Sequence, residues 1–406
     1  MKAEEVTKDW GMRIKPWIVA AILFPGLLAC GNRKGASESG SGPVQHSPVK
    51  SMDGRYSLML IKQIPKSALK RRPPFPNGEA RETDEEGGFL RGGMTYCTGQ
   101  HGWAYHLDKN QMEQLFPDGR IVSIAPDGQG LIVMIKGQQD EKESYYWKNS
   151  SAGTNKIETS DECIYNYIKI HPGNACFMAY SKKPYNKLPH LTVPTSIIFW
   201  SMDGKYKWEI KRNKSWDIDD SYILGIKGFT MDGKYALGTF TPRLLDIREK
   251  QLLPLDPGSD ITKTTSNNLI SSDVYSRDAS WVAGFSDHDD NDGKTIASYL
   301  WDRISRKFVW KGKQFGTPVC FSANDAYLLV NSGSIIRTKS GEPVFQGLKG
   351  KSGRFSPDGL SLVTMDDEAF YIYTLPKDSE PIFGVFQKPE PWSPPKAKVK
   401  VKVKTR

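Results

Sequence analysis

Residues 355–363 read Phe-Ser-Pro-Asp-Gly-Leu-Ser-Leu-Val, which is a tight turn at Ser356-Pro357-Asp358-Gly359 followed by the apolar pair Leu362-Val363. Turn residues that separate short apolar and aromatic runs are typical of antiparallel strands. The same arrangement of turn and apolar strand occurs five more times along the chain, with turns that begin at Ala125, His171, Thr230, Ser276 and Ser322. The second turn positions are separated by 46, 59, 46, 46 and 34 residues, which indicates an internal repeat.

Hydrophobic hairpins alternate with these turns. There are seven of them, at 103–115, 145–157, 197–210, 244–255, 299–310, 335–345 and 370–383. A repeat of about forty residues that holds four short strands is typical of a β-propeller, because an isolated blade leaves an apolar face exposed that a neighbouring blade covers. We therefore predict an all-β chain whose residues 51–388 form a β-propeller, with seven blades as the first expectation and six or eight as alternatives.

A family resemblance supports the same fold. The turns Phe355–Gly359 and Ala125–Gly128 and the strand end Tyr299-Leu300-Trp301-Asp302 resemble the WD-type and TolB-type repeats of bacterial propellers over most of residues 51–386. The segment Lys66–Gly93 is charged and proline-rich and is predicted to be a loop or insertion. The sequence leaves open how a ring would close on the strand that is expected at 56–61.

The first thirty residues have the order of a secretory signal. An apolar run of about twelve residues, Trp17–Leu28, is shorter than the roughly twenty that span a bilayer. Pro25 interrupts this run, and proline lacks the backbone donor that a helix interior uses. We predict a signal peptide at 1–29, with Met12 as an alternative start.

The end of this run, Leu27-Leu28-Ala29-Cys30, resembles the lipobox of bacterial lipoproteins. The resemblance implies cleavage before Cys30 and a diacylglycerol on its thiol, in the manner of palmitate-carrying lipoproteins. Gly31 after the cysteine resembles the pattern of lipoproteins sent to an outer membrane. Residues 30–50 are polar and glycine-rich and are predicted to be a flexible tether.

The formal net charge of +10 is concentrated at the C-terminus. Lys396–Arg406 carries six basic residues and no acidic one, and the body keeps only about +3 after this tail and the signal are set aside. The folded part therefore offers no basic face, which argues against nucleic acid as a partner. The tail at 389–406 alternates lysine with valine, and it suits anionic lipid headgroups or an acidic envelope polymer as well as a solvated terminus.

Oxygen ligands suited to calcium are most concentrated between two predicted strands. Asp287, Asp289, Asn291 and Asp292 are the candidate ligands, although their spacing does not follow the EF-hand template. The alternative is a solvated hairpin that turns at Asn291-Asp292-Gly293.

Among the other reactive residues, Cys163 and Cys176 flank two adjacent strand segments. They are candidates for a disulfide, with two buried free thiols as the alternative. The six histidines form no zinc-binding pair, and no Gly-x-Ser-x-Gly or phosphate-binding loop occurs.

These features predict a lipid-anchored, non-catalytic protein of the bacterial cell envelope. Its propeller is expected to bind a protein or glycan partner, and no cofactor is expected. One alternative is an envelope hydrolase or lyase whose residues converge in the central funnel from separate blades. The other is an adhesion or assembly module stiffened by calcium.

Overall fold

The structure is a computed structural model. It describes residues 47–68, 87–97, 103–116, 119–135, 144–149, 153–157, 163–173, 176–185, 188–201, 207–211, 226–238, 243–249, 251–254, 274–284, 298–312, 316–376 and 378–390. The signal, the lipobox, the first part of the tether, the candidate calcium loop and the basic tail from residue 391 lie outside these ranges.

The described strands form seven antiparallel sheets, numbered here along the chain. Sheet 1 contains β3 (Gly88–Leu90), β4 (Thr95–Cys97), β5 (Trp103–His106) and β6 (Gln111–Gln114); sheet 2 contains β7 (Gly119–Ile124), β8 (Gly130–Ile135), β9 (Ser144–Asn149) and β10 (Gly153–Ile157); sheet 3 contains β11 (Cys163–Ile170), β12 (Cys176–Tyr185), β13 (Leu188–Ser201) and β14 (Lys207–Lys211).

The second half of the chain repeats the pattern. Sheet 4 contains β15 (Ile226–Phe229), β16 (Tyr235–Gly238), β17 (Arg243–Asp246) and β18 (Gln251–Pro254); sheet 5 contains β19 (Val274–Tyr275), β20 (Trp281–Gly284), β21 (Tyr299–Asp302) and β22 (Lys307–Lys311); sheet 6 contains β23 (Pro318–Phe321), β24 (Tyr327–Val330), β25 (Ser334–Arg337) and β26 (Pro343–Phe345); sheet 7 contains β27 (Ser352–Phe355), β28 (Ser361–Met365), β29 (Ala369–Thr374), β2 (Ser57–Pro65) and β1 (Val49–Lys50).

The sheets pack side by side in chain order. The first strands of neighbouring sheets approach one another from sheet 1 to sheet 4 and from sheet 5 to sheet 7. Radial packing of four-stranded sheets through their first strands defines a β-propeller, so the predicted all-β propeller is confirmed. Within the described ranges there is no α-helix, only 3₁₀ turns at Lys66–Ala68 and Arg91–Gly93. No helix in this part of the chain has the length and apolar character needed to cross a bilayer.

The N-terminal strand completes the last sheet, which answers the question of closure that the sequence left open. β2 pairs antiparallel with β29, from Met59 opposite Thr374 to Pro65 opposite Ala369. Leu58 is fully buried in the same cluster as Phe345 and Tyr373, so this closure also contributes to the core. The pairing joins strands about 310 residues apart in the chain.

The hydrophobic core lies between neighbouring sheets. Ile132, Ile168 and Ile198 are buried together between sheets 2 and 3. Between sheets 1 and 7, the ring of Tyr96 lies 5.3 Å from Phe89 and 6.1 Å from Phe370, measured between centroids. Aromatic side chains therefore fill the wedge between blades, where sheets of only four strands leave apolar faces to cover.

Two boundaries differ from the sequence prediction. The predicted loop Lys66–Gly93 ends in a strand, because β3 occupies Gly88–Leu90 and opens sheet 1. The predicted hairpin at 370–383 contains only one strand, since β29 ends at Thr374 and Phe383 lies outside regular structure. In both places tertiary contacts decide the conformation of a short segment. The periodicity of apolar residues in the sequence does not predict such contacts.

Candidate functional site

The turn between the first and second strands recurs with the same internal hydrogen bonds. In sheet 6, the Ser322 hydroxyl donates to Asn324 Oδ1 at 2.7 Å and accepts the Tyr327 N–H at 3.1 Å. In sheet 4, the Thr230 hydroxyl donates to Asp232 Oδ1 at 2.6 Å and accepts the Tyr235 N–H at 3.1 Å. A hydroxyl followed two positions later by a carboxylate or amide thus satisfies the backbone of the turn locally.

The fourth position of each such turn has a positive φ. The value is +71° at Gly233 and Gly359, and +57° at Ala279 and Asp325. Glycine adopts this left-handed conformation without the steric cost that a Cβ adds, which explains the Asp-Gly pairs in the repeat. Ala279 and Asp325 adopt it without glycine.

The turns lie on one side of the propeller, which we call the turn face, and they bond to one another across sheet boundaries. The Arg91 N–H donates to Gly128 O at 2.8 Å, the Asp232 N–H donates to Arg277 O at 2.9 Å, and the Arg277 N–H donates to Asp325 Oδ1 at 2.7 Å. These bonds join sheet 1 to 2, sheet 4 to 5, and sheet 5 to 6. Glycine is also required at Gly93, where a Cβ would lie 2.6 Å from the carboxyl carbon of Asp358 in sheet 7.

His171 takes the place of the hydroxyl residue in sheet 3. Its Nδ1 accepts the Gly173 N–H at 3.1 Å, and its Nε2 donates to Gly233 O of sheet 4 at 3.0 Å. Burial lowers the pKa of His171 to about 4, despite the opposing effects of the Gly233 hydrogen bond and the Asp232 charge. The neutral ring therefore joins two turns, and both of its nitrogens are occupied.

Asp325 is the carboxylate whose ionisation the turn face changes most. Burial raises its pKa to about 7, and the charges of Asp278 and Asp232 act in the same direction. The Arg277 N–H and guanidinium oppose this rise. Asp325 is therefore about half protonated near neutral pH, and its Oδ1 accepts the Arg277 N–H of the neighbouring turn.

The C-terminal segment, Pro381–Glu390, crosses the turn face. The Asn324 N–H donates to Phe383 O at 3.3 Å, and the Phe386 N–H donates to Pro357 O at 2.6 Å. Further along, the Lys388 Nζ lies 3.0 Å from Asp127 Oδ2 in sheet 2. Sheets 2 and 7 are not neighbours, so this segment passes over the axial mouth of the ring.

The junction between sheets 6 and 7 depends on this segment. Asn324 Nδ2 donates to Ile382 O at 2.9 Å, and the ring centroid of Phe383 lies 4.6 Å from that of Phe355. Where other turns bond directly to their neighbours, the C-terminal segment fills the gap between the turns of sheets 6 and 7. Sequence reasoning missed this role, because the only local signal is the apolar pair Ile382-Phe383 within a polar terminus.

Most of the predicted site residues lie outside the described ranges. This applies to Leu27, Leu28, Ala29 and Cys30 of the lipobox and to Asp287, Asp289, Asn291 and Asp292 of the candidate calcium loop. In the part of the chain that the structure describes, no three metal-ligating residues come together.

The side chains of Cys163 and Cys176 are also outside the description, whereas their backbone register is given. Cys163 lies opposite Ser181 and Cys176 opposite Ser201, so the two cysteines lie near opposite ends of the β11–β12 pair. A disulfide requires Cα atoms within about 7 Å. The register therefore argues against the predicted bridge and leaves the alternative of two free thiols.

The two cysteines with described side chains are free, and neither is activated. Burial and the charge of Glu113 raise the pKa of the Cys97 thiol well above its ordinary range. Burial raises the pKa of Cys320 to about 12, although Arg354 and the Phe355 N–H oppose this effect. A thiol of such high pKa is a poor nucleophile, so both act as small core side chains.

The combination of fold and turn face defines a β-propeller protein with one side tied together by repeated turns. No family model matches the chain. No curated protein matches it either.

Solved structures of similar fold are found. A chain of the mitotic checkpoint complex is 10% identical, with 84% of this chain and 99% of that chain covered and a TM-score of 0.47. TolB from Acinetobacter baumannii is 14% identical, with coverage of 70% and 60% and a TM-score of 0.36. Hydrazine synthase of Kuenenia stuttgartiensis is 14% identical, with coverage of 71% and 95% and a TM-score of 0.43. At such identities the likeness concerns the fold alone.

Proposed function

We propose that this chain is a lipid-anchored, non-catalytic protein of the bacterial cell envelope whose seven-bladed propeller, with one blade for each sheet, binds a protein or glycan partner. The proposed anchor is a lipid on Cys30, and an outer membrane is the proposed location in cells that have one. A propeller supports this role because its loops are carried on a rigid ring and vary without disturbing the core.

The observation that carries the proposal is the β12–β13 hairpin, whose strands are longer than the strands that flank them in sheet 3. β12 and β13 contain ten and fourteen residues, whereas the equivalent strands of sheets 4, 5 and 6 contain four. The flanking strands end at Cys163 opposite Ser181 and at Lys211 opposite Ser196. Beyond these pairs, residues 182–185 and 188–194 form a two-stranded ribbon that pairs with no other strand in the described part of the chain, and we call the segment 182–194 the blade 3 ribbon.

The position of this ribbon favours binding. Successive strands run antiparallel, so the β12–β13 connection lies on the side opposite the turn face. The turn face is occupied by the chain's own C-terminal segment, whereas the ribbon projects from the sheet. Two-stranded ribbons are marginally stable alone in water, and a partner that pairs with or covers one adds contacts that the sheet does not supply.

The sequence of the ribbon indicates the chemistry of the partner. The sequence of residues 182–194 includes Lys182, Lys183 and Lys187, and no acidic residue occurs between Glu162 and Asp203. Tyr185, Leu188 and Leu191 add aromatic and aliphatic character. A surface of this composition fits a partner with an acidic and partly apolar face, such as an envelope protein or an acidic glycan.

Crosslinking in the native envelope, followed by identification of the captured molecules, tests the binding role. The test variant replaces Lys183–Val193 by Asn-Gly, because Lys182 lies opposite Pro194 and a two-residue turn joins them. A partner captured by the parent chain and lost from this variant supports the proposal. Equal capture by both chains contradicts a binding role for the ribbon.

The anchor has a separate test. Cys30→Ala removes the thiol that would carry the lipid, so the variant is expected to lose acyl labelling and to leave the detergent phase. A Cys320→Ala variant is the matched control and is expected to retain the label, since this cysteine lies within β23. Unchanged detergent partition of Cys30→Ala would refute the anchor.

A further inference from the structure

The C-terminal segment consists of two parts that meet at Gly384. Ile382 and Phe383 before it are buried, whereas Val385 after it is 55% exposed. Gly384 has a φ of +72°, and a Cβ there would lie 2.4 Å from the Cβ of Asn324. Only glycine fits this position, so the chain leaves the core at a fixed point.

We call the part before Gly384, Ile382-Phe383, the root of the segment. The ring of Phe383 lies 4.6 Å from Phe355, 5.8 Å from Tyr327 and 6.3 Å from Phe345, measured between centroids. Tyr327 and Phe345 belong to strands of sheet 6, and Phe355 belongs to the first strand of sheet 7. The root is therefore part of the hydrophobic core.

The part after Gly384, Val385–Lys388, is an arm with a different kind of attachment. The Phe386 N–H bonds to Pro357 O in sheet 7, the Arg277 Nη1 of sheet 5 donates to Gln387 Oε1 at 3.0 Å, and Lys388 pairs with Asp127 in sheet 2. All three contacts are polar, and Val385, Gln387 and Lys388 are exposed. An arm held by polar surface contacts separates from the ring at far lower cost than a buried aromatic side chain.

The far end of the arm is the decisive contact. The Asp127 side chain is 8% exposed, whereas the Lys388 side chain that covers it is 46% exposed. The buried Asp127 carboxylate thus pairs with the long, half-exposed side chain of Lys388, shortly before the basic tail begins. Loss of this pair frees the arm as far as Gln387 and uncovers Asp127.

We propose that Val385–Lys388 is a displaceable strap over the axial mouth of the turn face. With the strap in place, Asp127 is buried, Arg277 and Pro357 are half-buried, and the strap covers the axial mouth of this face. With the strap released, these groups become accessible while Phe383 holds the chain to the ring. This inference concerns the turn face and goes beyond the binding role proposed for the opposite side.

Charge reversal at the far end tests the strap in the full-length chain. Lys388→Glu places two negative charges together, so amide hydrogen exchange of residues 385–388 is expected to rise, while that of residues 382–384 stays as in the parent. Labelling of the Asp127 carboxylate by a water-soluble carbodiimide and an amine is expected to rise in the same variant. The conservative variant Lys388→Arg keeps the positive charge opposite Asp127 and is expected to leave the exchange at the parent level.

A second charge reversal supplies the control. Lys351→Glu removes a pair with Asp367 at 3.7 Å in which both side chains are largely exposed, and it leaves the strap untouched. Unchanged exchange at 385–388 in Lys388→Glu, or the same change in the Lys351→Glu control, overturns the proposal. An equal rise at 382–384 also overturns it, because the strap would then not separate from its root.

Discussion

The two sides of the propeller are built on different principles. On the turn face, short turns of one pattern bond to their neighbours and to the C-terminal segment, so that backbone donors such as the Asp232 and Arg277 N–H groups cross sheet boundaries. On the opposite side, the blade 3 ribbon extends beyond the described ends of its flanking strands. The repeated side holds the ring together, and the irregular side leaves room for variation in length.

The spacing of the turns records this difference. The step of 59 residues between positions 172 and 231 exceeds the usual 46 by 13, and it contains β12 and β13. Additional residues at this place lengthen a hairpin that extends away from the turn face. Insertion there leaves the turn bonds on either side intact, as at His171 and Gly233.

The largest expected effect concerns the root of the C-terminal segment. Phe383→Ala removes a fully buried ring from between sheets 6 and 7, and we expect a loss of about 3–5 kcal/mol in the free energy of unfolding. Urea unfolding followed by tryptophan fluorescence measures it. Val385→Ala, two residues further on and exposed, is the control and is expected to change stability by no more than about 0.5 kcal/mol. Equal effects would place Phe383 outside the core.

Loss of a hydrogen bond in a repeated turn is expected to destabilise the protein less than loss of the Phe383 ring. Ser322→Ala removes the hydroxyl that accepts the Tyr327 N–H, at a site that is 2% exposed, and we expect a loss of about 1–3 kcal/mol. Ser340→Ala is the matched control, because its hydroxyl bonds Glu342 at an exposed position. Equal stability of the two variants in the same unfolding assay would show that the turn hydroxyl contributes nothing.

Stability is expected to depend on pH through Asp325. Its pKa is about 7 in the folded chain and 3.8 ordinarily, so the unfolded chain releases its proton first as pH rises. This group therefore lowers stability progressively from about pH 4 to about pH 7 and adds no further change above that. Asp325→Asn keeps an acceptor for the Arg277 N–H, and thermal melts across this range are expected to show a smaller decline with pH.

An aspartate of opposite behaviour provides the control for Asp325. At Asp302, burial raises the pKa, but hydrogen bonds from Ser305 and the Ile304 N–H outweigh it and lower the pKa below 3.8. Asp302→Asn is expected to leave the decline between pH 4 and pH 7 in place. A parent-like decline in Asp325→Asn would contradict the assignment.

The smallest effect on stability is expected from shortening the blade 3 ribbon, on the side opposite the turn face. Replacement of Lys183–Val193 by Asn-Gly removes strand pairs that only the ribbon makes with itself, so the melting temperature should change by no more than roughly 2 °C. Calorimetry of this variant beside Phe383→Ala compares the two sides directly. A large loss of stability on shortening would show that the ribbon belongs to the fold.

Much of the fold was predictable because its signals are local. The hydroxyl, carboxylate and glycine of a turn such as Ser356–Gly359 bond within six residues, and alternating apolar runs give the strands between turns. The candidate site was less predictable. Cys30 rests on a sequence resemblance, and the cysteine pair Cys163 and Cys176 was placed by adjacency, whereas the register of β11 and β12 separates them.

The sequence by itself determined the β class, the repeated turns, and the order of an apolar N-terminal run, a polar glycine-rich segment, a repeated body and a basic tail. The tertiary structure alone decided that β2 closes the ring against β29, and that Phe383 and Lys388 bind the chain's end across the turn face. The physical reason is sequence separation. Contacts between residues some 28 to 310 positions apart depend on how the sheets are arranged in the ring, and no periodicity in either segment encodes its partner.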